Sequence, residues 1–573
     1  MLKTKGDGFF IFFVILLFLI AASLQYAMIL NGDVSYLIYL SKEMLSGKTY
    51  GSPGFLETNP PLIFFLYLPV VFLEKYISFK QSSLFQFYIF SLSALSFFIS
   101  FFILKKVIKE KNFLYIFSLV LLFCLLFLPG AHFGQRDHLF LIFVFPYIFS
   151  CAFELENKKI SPPLALLIGV MAGFGFSMKP YFLFSFVFIE CYFVFKRGRF
   201  FSWIRPESVC ILTMMIAYLM SVILFFPRYF IIILPLVKTF YFIAIKEPWW
   251  EVLISPLVLF PLSACFIFVF FKNKKNEHLD LKKVLLLVFS GTLLTLLSTQ
   301  TSWFYHALPL LSMACLLLSF PFEEQVSLCL KGKSMISFQA LKLVSTAFFF
   351  NFIILFFHKN SSSVLLVEVY FLFLVFYFFS SHPCRRYVER FFRTVSVVLL
   401  FFVVFFIPLV TVIASVIYTI EEKKTYGKSA MFSYLADTSG AQSVLCFSRF
   451  RYCSLLEEYT KSSYVSYYSS LWWVRGVTRL TKNKKLDVKE QELKKYLFEK
   501  TAEEINYFKP HWILLQSGIR NPEVPFEVVI SLFSESGKFN EAWSHYKFKT
   551  TIDDHQIYER VETRNKGVIK TRV

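Results

Sequence analysis

Long apolar runs, broken by short polar segments, occupy most of the first 420 residues of the chain. A helix needs about 20 apolar residues to cross a bilayer, and most of these runs approach that length. We therefore predict an α-helical polytopic membrane protein. Its predicted spans, about 13 in all, lie at 9–31, 83–104, 113–130, 139–153, 163–178, 181–195, 208–226, 252–271, 284–299, 306–320, 340–357, 363–380 and 395–418.

Basic clusters between the runs predict the orientation. The apolar segment 61–79 starts at a Pro-Pro pair and ends in charged residues, so it could lie in the interface or re-enter the membrane. If it does not cross and the N-terminus is cytoplasmic, every strong basic cluster faces the cytoplasm, as the positive-inside rule requires. The C-terminus is then outside. The clusters are 105–109, 158–159, 196–199, 272–283, 331–333 and 385–393.

Composition supports lipid as the solvent of this chain. Hydrophobic residues make up 57% of it, Phe alone supplies 78 residues, and the net charge is +21. Soluble chains contain about 45–50% apolar residues. Because the basic residues cluster between apolar runs, the charge does not indicate a nucleic-acid partner. The first run resembles a signal sequence but is too long for one, so we interpret it as a retained helix.

The composition becomes polar after residue 420, which divides the chain into a membrane domain, 1–420, and a predicted extracytoplasmic α/β domain, 421–573. Strand-like apolar runs lie at 443–447, 512–515 and 526–530, and a helical stretch lies near 488–506. The extracytoplasmic region, 421–573, has the size of one independent domain. An oxidising compartment would allow a disulfide between Cys446 and Cys453, and the sequence leaves open whether they pair.

Polar segments at the predicted outer face carry the candidate chemistry, because ionisable groups at membrane depth are costly and usually functional. The first follows the first helix and contains Asp33 and Tyr36, with Glu57 further along. Asp33 could accept a proton from an attacking hydroxyl. The alternative is a solvated residue beside a helix end.

Two further segments add cations. In the loop Gly-Gln-Arg-Asp-His-Leu, Arg136 could bind a phosphate, with Asp137 orienting it and His138 beside it. The alternative is an Arg–Asp pair that caps the next helix. Lys179, two residues before Tyr181, departs from the charge rule and could meet an anion, or it could extend to the interface.

A fourth segment contains Gln300, Tyr305 and His306, which together suggest the wall of a polar cavity. The sequence leaves open whether a divalent cation binds here. Its ligands would be His132, His138 and His306 together with Asp33 or Asp137, although nothing in their spacing requires a metal. Neither a Walker A loop nor a dinucleotide fingerprint is present. Their absence counts against ATP-driven transport.

The order of these motifs resembles the GT-C superfamily of membrane glycosyltransferases, particularly protein mannosyltransferases and lipid A aminoarabinose transferases. An Asp follows the first helix, a Leu-x-x-Gly-like stretch spans 45–50, and an acidic residue precedes Pro-Pro-Leu within 57–62. An Arg-Asp-x-Leu element follows at 136–139. Asp33 lacks the paired acidic neighbour common in that family, and Asn59 stands where His or Lys is frequent.

The resemblance implies a polyprenyl-phosphate sugar donor, an extracytoplasmic glycan, lipid or protein acceptor, and a bacterial inner-membrane location. It implies Asp33 as the base of an inverting transfer, with Glu57 and Asp137 in support. Arg136 and Lys179 would stabilise the phosphate leaving group. In the outer domain, Trp472, Trp473 and Arg475 could stack on sugar rings, or they could belong to the domain core.

Two rival functions stay open. A transporter or flippase would explain the helices and buried charges, although we find no internal repeat of the kind transporters show. A polysaccharide polymerase or ligase would also act on lipid-linked sugars at the outer face. Such enzymes usually rely on a large loop between spans rather than on a C-terminal domain.

Overall fold

Two compact units make up the chain in the computed structural model, which describes residues 5–270, 278–330, 407–439, 442–447, 456–460, 462–466, 472–516 and 526–561. The first unit comprises Met1–Ile29, Ser83–Leu219 and Glu247–Thr419, and the second comprises Leu30–Ser82, Met220–Lys246 and Ile420–Val573. The second unit therefore combines two earlier segments with the C-terminal region. The division at residue 420 into two consecutive domains stays a prediction.

The described part of the chain is mostly helical. In chain order the helices are α1 Lys5–Ala27, α2 Gly32–Leu45, α3 Leu62–Tyr76, α4 Gln81–Val107, α5 Lys111–Leu126, α6 Arg136–Leu155, α7 Pro162–Ser177, α8 Leu183–Arg197, α9 Pro206–Phe225, α10 Tyr229–Ile245, α11 Trp249–Leu253, α12 Pro256–Phe270, α13 Leu279–Thr299, α14 Phe304–Leu330, α15 Ile407–Tyr426, α16 Ala430–Ser439, α17 Leu456–Tyr459, α18 Trp472–Asn483, α19 Val488–Phe508, α20 Phe526–Phe533 and α21 Gly537–Trp543. The strands are β1 Ser443–Phe447, β2 Ser463–Tyr464, β3 Trp512–Gln516, β4 Tyr546–Ile552 and β5 His555–Arg560.

Within the described residues, six helices are long and apolar enough to cross a bilayer: α1, α4, α6, α9, α13 and α14. These features make the protein an α-helical, membrane-embedded one. Among the residues that the structure describes, the predicted count of 13 spans is not reached. Helices α5, α7 and α12 are apolar but only 15 or 16 residues long, and α8 has 15 residues. The predicted spans 340–357 and 363–380, and the first half of 395–418, lie outside the described residues.

Helix α6 is the central helix of the first unit, since its apolar window is buried along its whole length. It carries Asp137 in its first turn and Glu154 in its last. The 17 residues from one to the other rise about 25 Å at about 1.5 Å each, close to the bilayer core of about 30 Å. A helix surrounded by protein can keep a buried charge at each end if each charge has a partner.

Small residues bring α7 and α9 into close contact. A Cβ built on Gly169 would lie 2.7 Å from Cβ of Cys210, and one on Gly173 would lie 2.9 Å from Sδ of Met214. The two glycines are four residues apart, so they share one helix face. This small-xxx-small spacing lets helix backbones approach where lipid supplies no hydrophobic driving force.

The second unit contains the two short helices that follow α1. The predicted first helix extended to residue 31, but α1 ends at Ala27, and extended Asn31 caps α2 with its side chain. Helix α3 has 15 residues and contains Pro69. At about 1.5 Å per residue it spans about 22 Å, less than the bilayer core. That 61–79 does not cross stays a prediction, since α8 and α12 are equally short and correspond to predicted spans.

A mixed five-stranded sheet forms the C-terminal part of the second unit, with strand order β2-β1-β3-β5-β4. Strands β2, β1 and β3 are parallel, and β3, β5 and β4 are antiparallel neighbours. Almost every residue of β1 and β3 is buried, as expected of a parallel pair covered on both faces. The predicted strands at 443–447 and 512–515 are confirmed, whereas the β4–β5 hairpin was not predicted.

Three further predictions for this region have clear outcomes. The helix near 488–506 is confirmed as α19, which starts with a capping box between Asp487 and Glu490. The predicted strand at 526–530 is wrong, because these residues begin helix α20. A short apolar run cannot distinguish a strand from a buried helix. Trp473 is fully buried against Phe498 and Phe533, so it belongs to the core.

Cys446 lies buried in β1, and Cys453 lies outside the described residues.

Candidate functional site

A buried ion pair joins two of the predicted site residues in the first unit. Nζ of Lys179 lies 2.6 Å from Oδ2 of Asp137, and the two side chains are 6% and 1% exposed. Asp137 belongs to the first turn of α6, and Lys179 precedes the short 3-10 turn between α7 and α8. An ion pair so well shielded from water interacts strongly, but each partner has lost its hydration. The pair is therefore costly to separate unless another ion replaces one partner.

Three aromatic rings surround the Lys179 ammonium. Its Nζ lies 5.7 Å from the ring centre of Tyr181, 5.5 Å from that of Phe182 and 5.5 Å from that of Tyr305. Ring faces attract a cation at such distances. The rings thus help to keep the ammonium charged and in place.

His306 lies within the same group of side chains. Its Nδ1 is 2.5 Å from Oγ1 of Thr301, and its ring packs against Tyr305 at 4.2 Å. Lys179, Arg136 and His132 all act electrostatically on this imidazole. We call Arg136, Asp137, Lys179, Tyr305 and His306 the Lys179 site. It brings together predicted residues from three separate segments of the sequence.

His138 was predicted beside this site, and its ring nitrogens are bound to backbone atoms. Nδ1 accepts a hydrogen bond from the amide of Gly134 at 2.8 Å, so Nε2 carries the proton that it shares with the Leu125 carbonyl at 2.8 Å. The side chain is fully buried. His138 therefore fixes the loop before α6, and neither nitrogen is aimed at a ligand.

Gly134 allows this loop to pass close to α4. Its φ is +80°, and a Cβ there would lie 2.3 Å from Cζ of Phe85. Glycine meets both conditions because it has no Cβ. The loop that starts α6 is thus positioned by Gly134 and His138.

Gln300 ends α13 with φ at +51°, and its carbonyl accepts a hydrogen bond from the amide of Glu247 at 2.8 Å. The Glu247 carboxylate in turn accepts from the amide of Ser302 at 3.0 Å and from its hydroxyl at 2.5 Å. These bonds hold the α13–α14 loop and with it Tyr305 and His306. The role that the structure supports for Gln300 is in this loop's backbone.

The other predicted residues belong to the second unit. Asp33 is exposed in the first turn of α2, and its amide donates to Oδ1 of Asn31 at 3.0 Å. A carboxylate there is stabilised by the helix dipole. Tyr36 is buried and packs against Tyr39.

Glu57 is also buried. Its Oε1 accepts from the Thr58 hydroxyl at 2.9 Å and from the amide and side-chain nitrogens of Asn59 at 3.0 and 2.6 Å. It therefore fixes the turn before Pro60. A cavity of about 460 Å³ lies between α2 and α3. None of the predicted site residues lines it; its lining is Lys42, Leu45, Ser46, Val71, Glu74 and Lys75.

The sequence analysis missed a second buried ionic group in the first unit, which we call the arginine cluster: Arg205, Glu154, Glu190, Glu207 and Ser208. The guanidinium of Arg205 lies 2.8 Å from Glu154, 2.5 Å from Glu190 and 2.7 Å from Glu207. It also donates to Ser208 at 2.9 Å. The signal was present, because Glu190 falls inside an apolar run.

Anion binding is the chemistry that the Lys179 site fits best. Among the described residues no group of three His, Cys, Asp or Glu side chains is placed to hold a metal ion. The divalent cation considered from the sequence therefore stays a prediction. The site does gather an ammonium and a guanidinium near the start of a helix, where backbone amides favour an anion.

In comparisons with known proteins, no family model and no curated protein matches the chain. Function has to be argued from the residues themselves.

Proposed function

We propose that this protein is a membrane glycosyltransferase that takes a sugar from a polyprenyl-phosphate donor and passes it to an extracytoplasmic acceptor. The observation that carries the proposal is the buried Asp137–Lys179 pair, with Arg136 at the start of the same helix. Such a site suits a phosphate on a lipid that never leaves the bilayer.

The reaction needs charge stabilisation at the leaving group. The acceptor hydroxyl oxygen attacks the anomeric carbon, and the bond between that carbon and the phosphate oxygen breaks. Its electron pair stays on the phosphate, while the hydroxyl proton passes to a carboxylate base. Lys179 and Arg136 stabilise the developing phosphate charge, as preorganised cations do. One displacement inverts the anomeric centre.

Asp33 is the proposed base, on the family resemblance, and it is exposed in the first turn of α2. A positioned base contributes roughly 10²–10⁴-fold. Glu57 and Asp137 are supporting carboxylates. The proposal includes the full predicted topology of 13 spans, with a cytoplasmic N-terminus, a periplasmic C-terminal region and a bacterial inner-membrane location.

The experiment uses purified full-length protein in proteoliposomes with a radiolabelled polyprenyl-phosphate sugar and an envelope extract as acceptor source. Asp33→Asn and Lys179→Gln are compared with the wild type. Asp280→Asn is the matched control, because it also breaks a Lys–Asp pair of the first unit, that of Lys196 and Asp280 at 2.5 Å.

Asp33→Asn should lower transfer by roughly 100-fold or more while leaving insertion and folding unchanged. Lys179→Gln should lower it by a similar factor, since one leaving-group donor is worth about 10²–10³. Asp280→Asn should transfer normally. Normal transfer by Asp33→Asn would refute the base, and no transfer by the wild type with any polyprenyl-phosphate sugar would refute the enzyme.

A lipid translocase is the second candidate, and the arginine cluster favours it. Ionisable groups at both ends of the buried helix α6 are the kind of polar residues that line transport pathways. Movement of a labelled polyprenyl-phosphate lipid across proteoliposomes, without sugar transfer, would select the translocase.

A further inference from the structure

The arginine cluster contains more acid than base. Glu154, Glu190 and Glu207 surround the guanidinium of Arg205, so the four side chains would carry a net charge of −2 if all were ionised. Their exposed fractions are between 1% and 11%. An unmatched buried charge is so costly that the group usually changes its protonation state instead. The balance therefore calls for positive charge beyond that of Arg205.

The other charged groups around the cluster do not supply this charge. Lys196 is already paired with Asp280 at 2.5 Å. Arg197 is exposed to water, and its guanidinium donates to the backbone carbonyl of Glu154 at 3.1 Å. Helix α7, which packs against the start of α9, has no titratable side chain. The remaining titratable groups that face the cluster are a phenol and a thiol, both ordinarily neutral near pH 7: Tyr147 and Cys151.

Glu190 is the carboxylate that matches Arg205. Its Oε1 accepts from Nη2 of the guanidinium at 2.5 Å and from the Ser208 hydroxyl at 2.9 Å. The Tyr147 hydroxyl donates to the same oxygen. Donors aimed at a carboxylate favour its charged form. Glu190 and Arg205 thus form a neutral ion pair, which leaves the charges of Glu154 and Glu207 unmatched.

Glu154 and Glu207 meet at one nitrogen. Nη1 of Arg205 lies 2.8 Å from Oε2 of Glu154 and 2.7 Å from Oε1 of Glu207. The two carboxyl groups are within hydrogen-bonding reach of each other. Within the described residues, neither oxygen of the buried Glu207 makes a hydrogen bond. Ionised carboxylates only accept, whereas a protonated one can donate. A proton on either carboxyl would therefore remove their repulsion and supply the missing donor.

We propose that Glu154 and Glu207 share one proton near neutral pH, which makes the arginine cluster a proton-binding site in the last turn of α6. The Glu154 side chain is 11% exposed and gives the proton a path to water. Loss of the proton would place a second unmatched charge between α6 and the start of α9 and weaken their contact. The site involves neither phosphate nor sugar, so it does not depend on the proposed function.

The test is infrared spectroscopy of the full-length protein in nanodiscs, with isotope-labelled glutamate to identify the carbonyl bands of glutamic acid. Spectra are recorded near pH 7, where a free glutamate, with a pKa of about 4.3, is ionised. Glu154→Gln and Glu207→Gln each keep the shape of the side chain and remove one carboxyl. Glu156→Gln is the matched control, because Glu156 lies two residues from Glu154 and its pair with Lys158 is reached by water.

The wild type should show a glutamic acid band that shifts in heavy water. Both Glu154→Gln and Glu207→Gln should lose this band, because the remaining carboxyl then ionises beside Arg205, and Glu156→Gln should keep it. Glu207→Asp retains a carboxyl and should retain a buried acid band, which tests the pair even if a glutamine variant does not fold. Added sodium at constant pH should leave the wild-type band unchanged.

Absence of the band from the wild type, or its survival in either glutamine variant, would overturn the shared proton. So would its loss in Glu156→Gln, or the lack of any buried acid band in Glu207→Asp. Loss of the wild-type band on adding sodium would show that the cluster takes a metal cation in place of a proton. None of these results depends on whether the protein transfers sugar.

Discussion

Replacing Arg205 with methionine tests how much the arginine cluster stabilises the first unit. Methionine keeps much of the side-chain length and removes the charge. The guanidinium is 5% exposed and forms ion pairs at 2.5–2.8 Å with three glutamates. It also lies 3.6 Å from the ring centre of Phe193. Arg205→Met therefore leaves three buried carboxylates without their shared cation.

The burial of the cluster determines how much free energy of unfolding Arg205→Met should lose. Removing one partner of a buried ion pair costs about 3–5 kcal/mol, because the remaining charge stays desolvated. Lys196→Met is the matched control, since it removes a cation whose pair with Asp280 has side chains 32% and 14% exposed. A pair so accessible to water contributes about 0–1 kcal/mol. The two substitutions should thus differ by about 3 kcal/mol.

The assay is reversible unfolding of the full-length protein in mixed micelles of increasing denaturing detergent. A triple variant, Arg205→Met with Glu190→Gln and Glu207→Gln, serves as rescue. It should recover more than half of the lost free energy of unfolding, because two of the stranded charges are removed as well.

A loss below about 1 kcal/mol for Arg205→Met, equal to that of Lys196→Met, would refute the view that the cluster is buried and mutually dependent. Failure of the triple variant to recover stability would show that packing, and not charge, is lost.

Two further predictions concern the loop before α6 and the C-terminal sheet. Gly134→Ala should lower the free energy of unfolding by about 2–5 kcal/mol, since overpacking costs about 1–3 kcal/mol and a left-handed backbone about 1–2 kcal/mol. Gly47→Ala, at φ +88° with nothing within 4 Å, should lose only about 1 kcal/mol. Burial lowers the pKa of His555, although the neighbouring Asp554 acts to raise it. Because the folded pKa is below the unfolded value of about 6.5, stability from neutral His555 is present above that pH and is lost as pH falls. Amide protection factors of β5 in the full-length protein, meaning the intrinsic exchange rate at each pH divided by the observed rate, should fall between pH 7.5 and 5.5. His555→Gln should remove that fall, and an equal fall in both proteins would contradict the sign.

The sequence predicts individual elements better than their pairing. Apolar runs located α6 and α13, and the strand pattern located β1, because burial leaves a local composition signal. The start of α2 was missed, since its signal is the single cap residue Asn31. The run at 526–530 was assigned the wrong structure because it is too short to show a period.

The remaining features that the sequence did not predict depend on contacts between residues far apart in the chain. Lys179 pairs with Asp137 across 42 positions, and Arg205 meets Glu154 across 51. No local pattern encodes either partner. What the sequence does show is that each residue is ionisable within or beside an apolar run, and such residues need partners. A search for complementary charges among those residues could have found the arginine cluster.

The most direct measurement is mass spectrometry of lipids and envelope glycans from cells with and without this protein. We expect loss of the protein to remove one sugar from an envelope glycan, lipid or protein, and to cause the matching polyprenyl-phosphate sugar to accumulate. Restoring the wild type should reverse both changes, and Asp33→Asn should not. Identical glycans and identical polyprenyl-phosphate pools in the two cell types would contradict the proposed transfer.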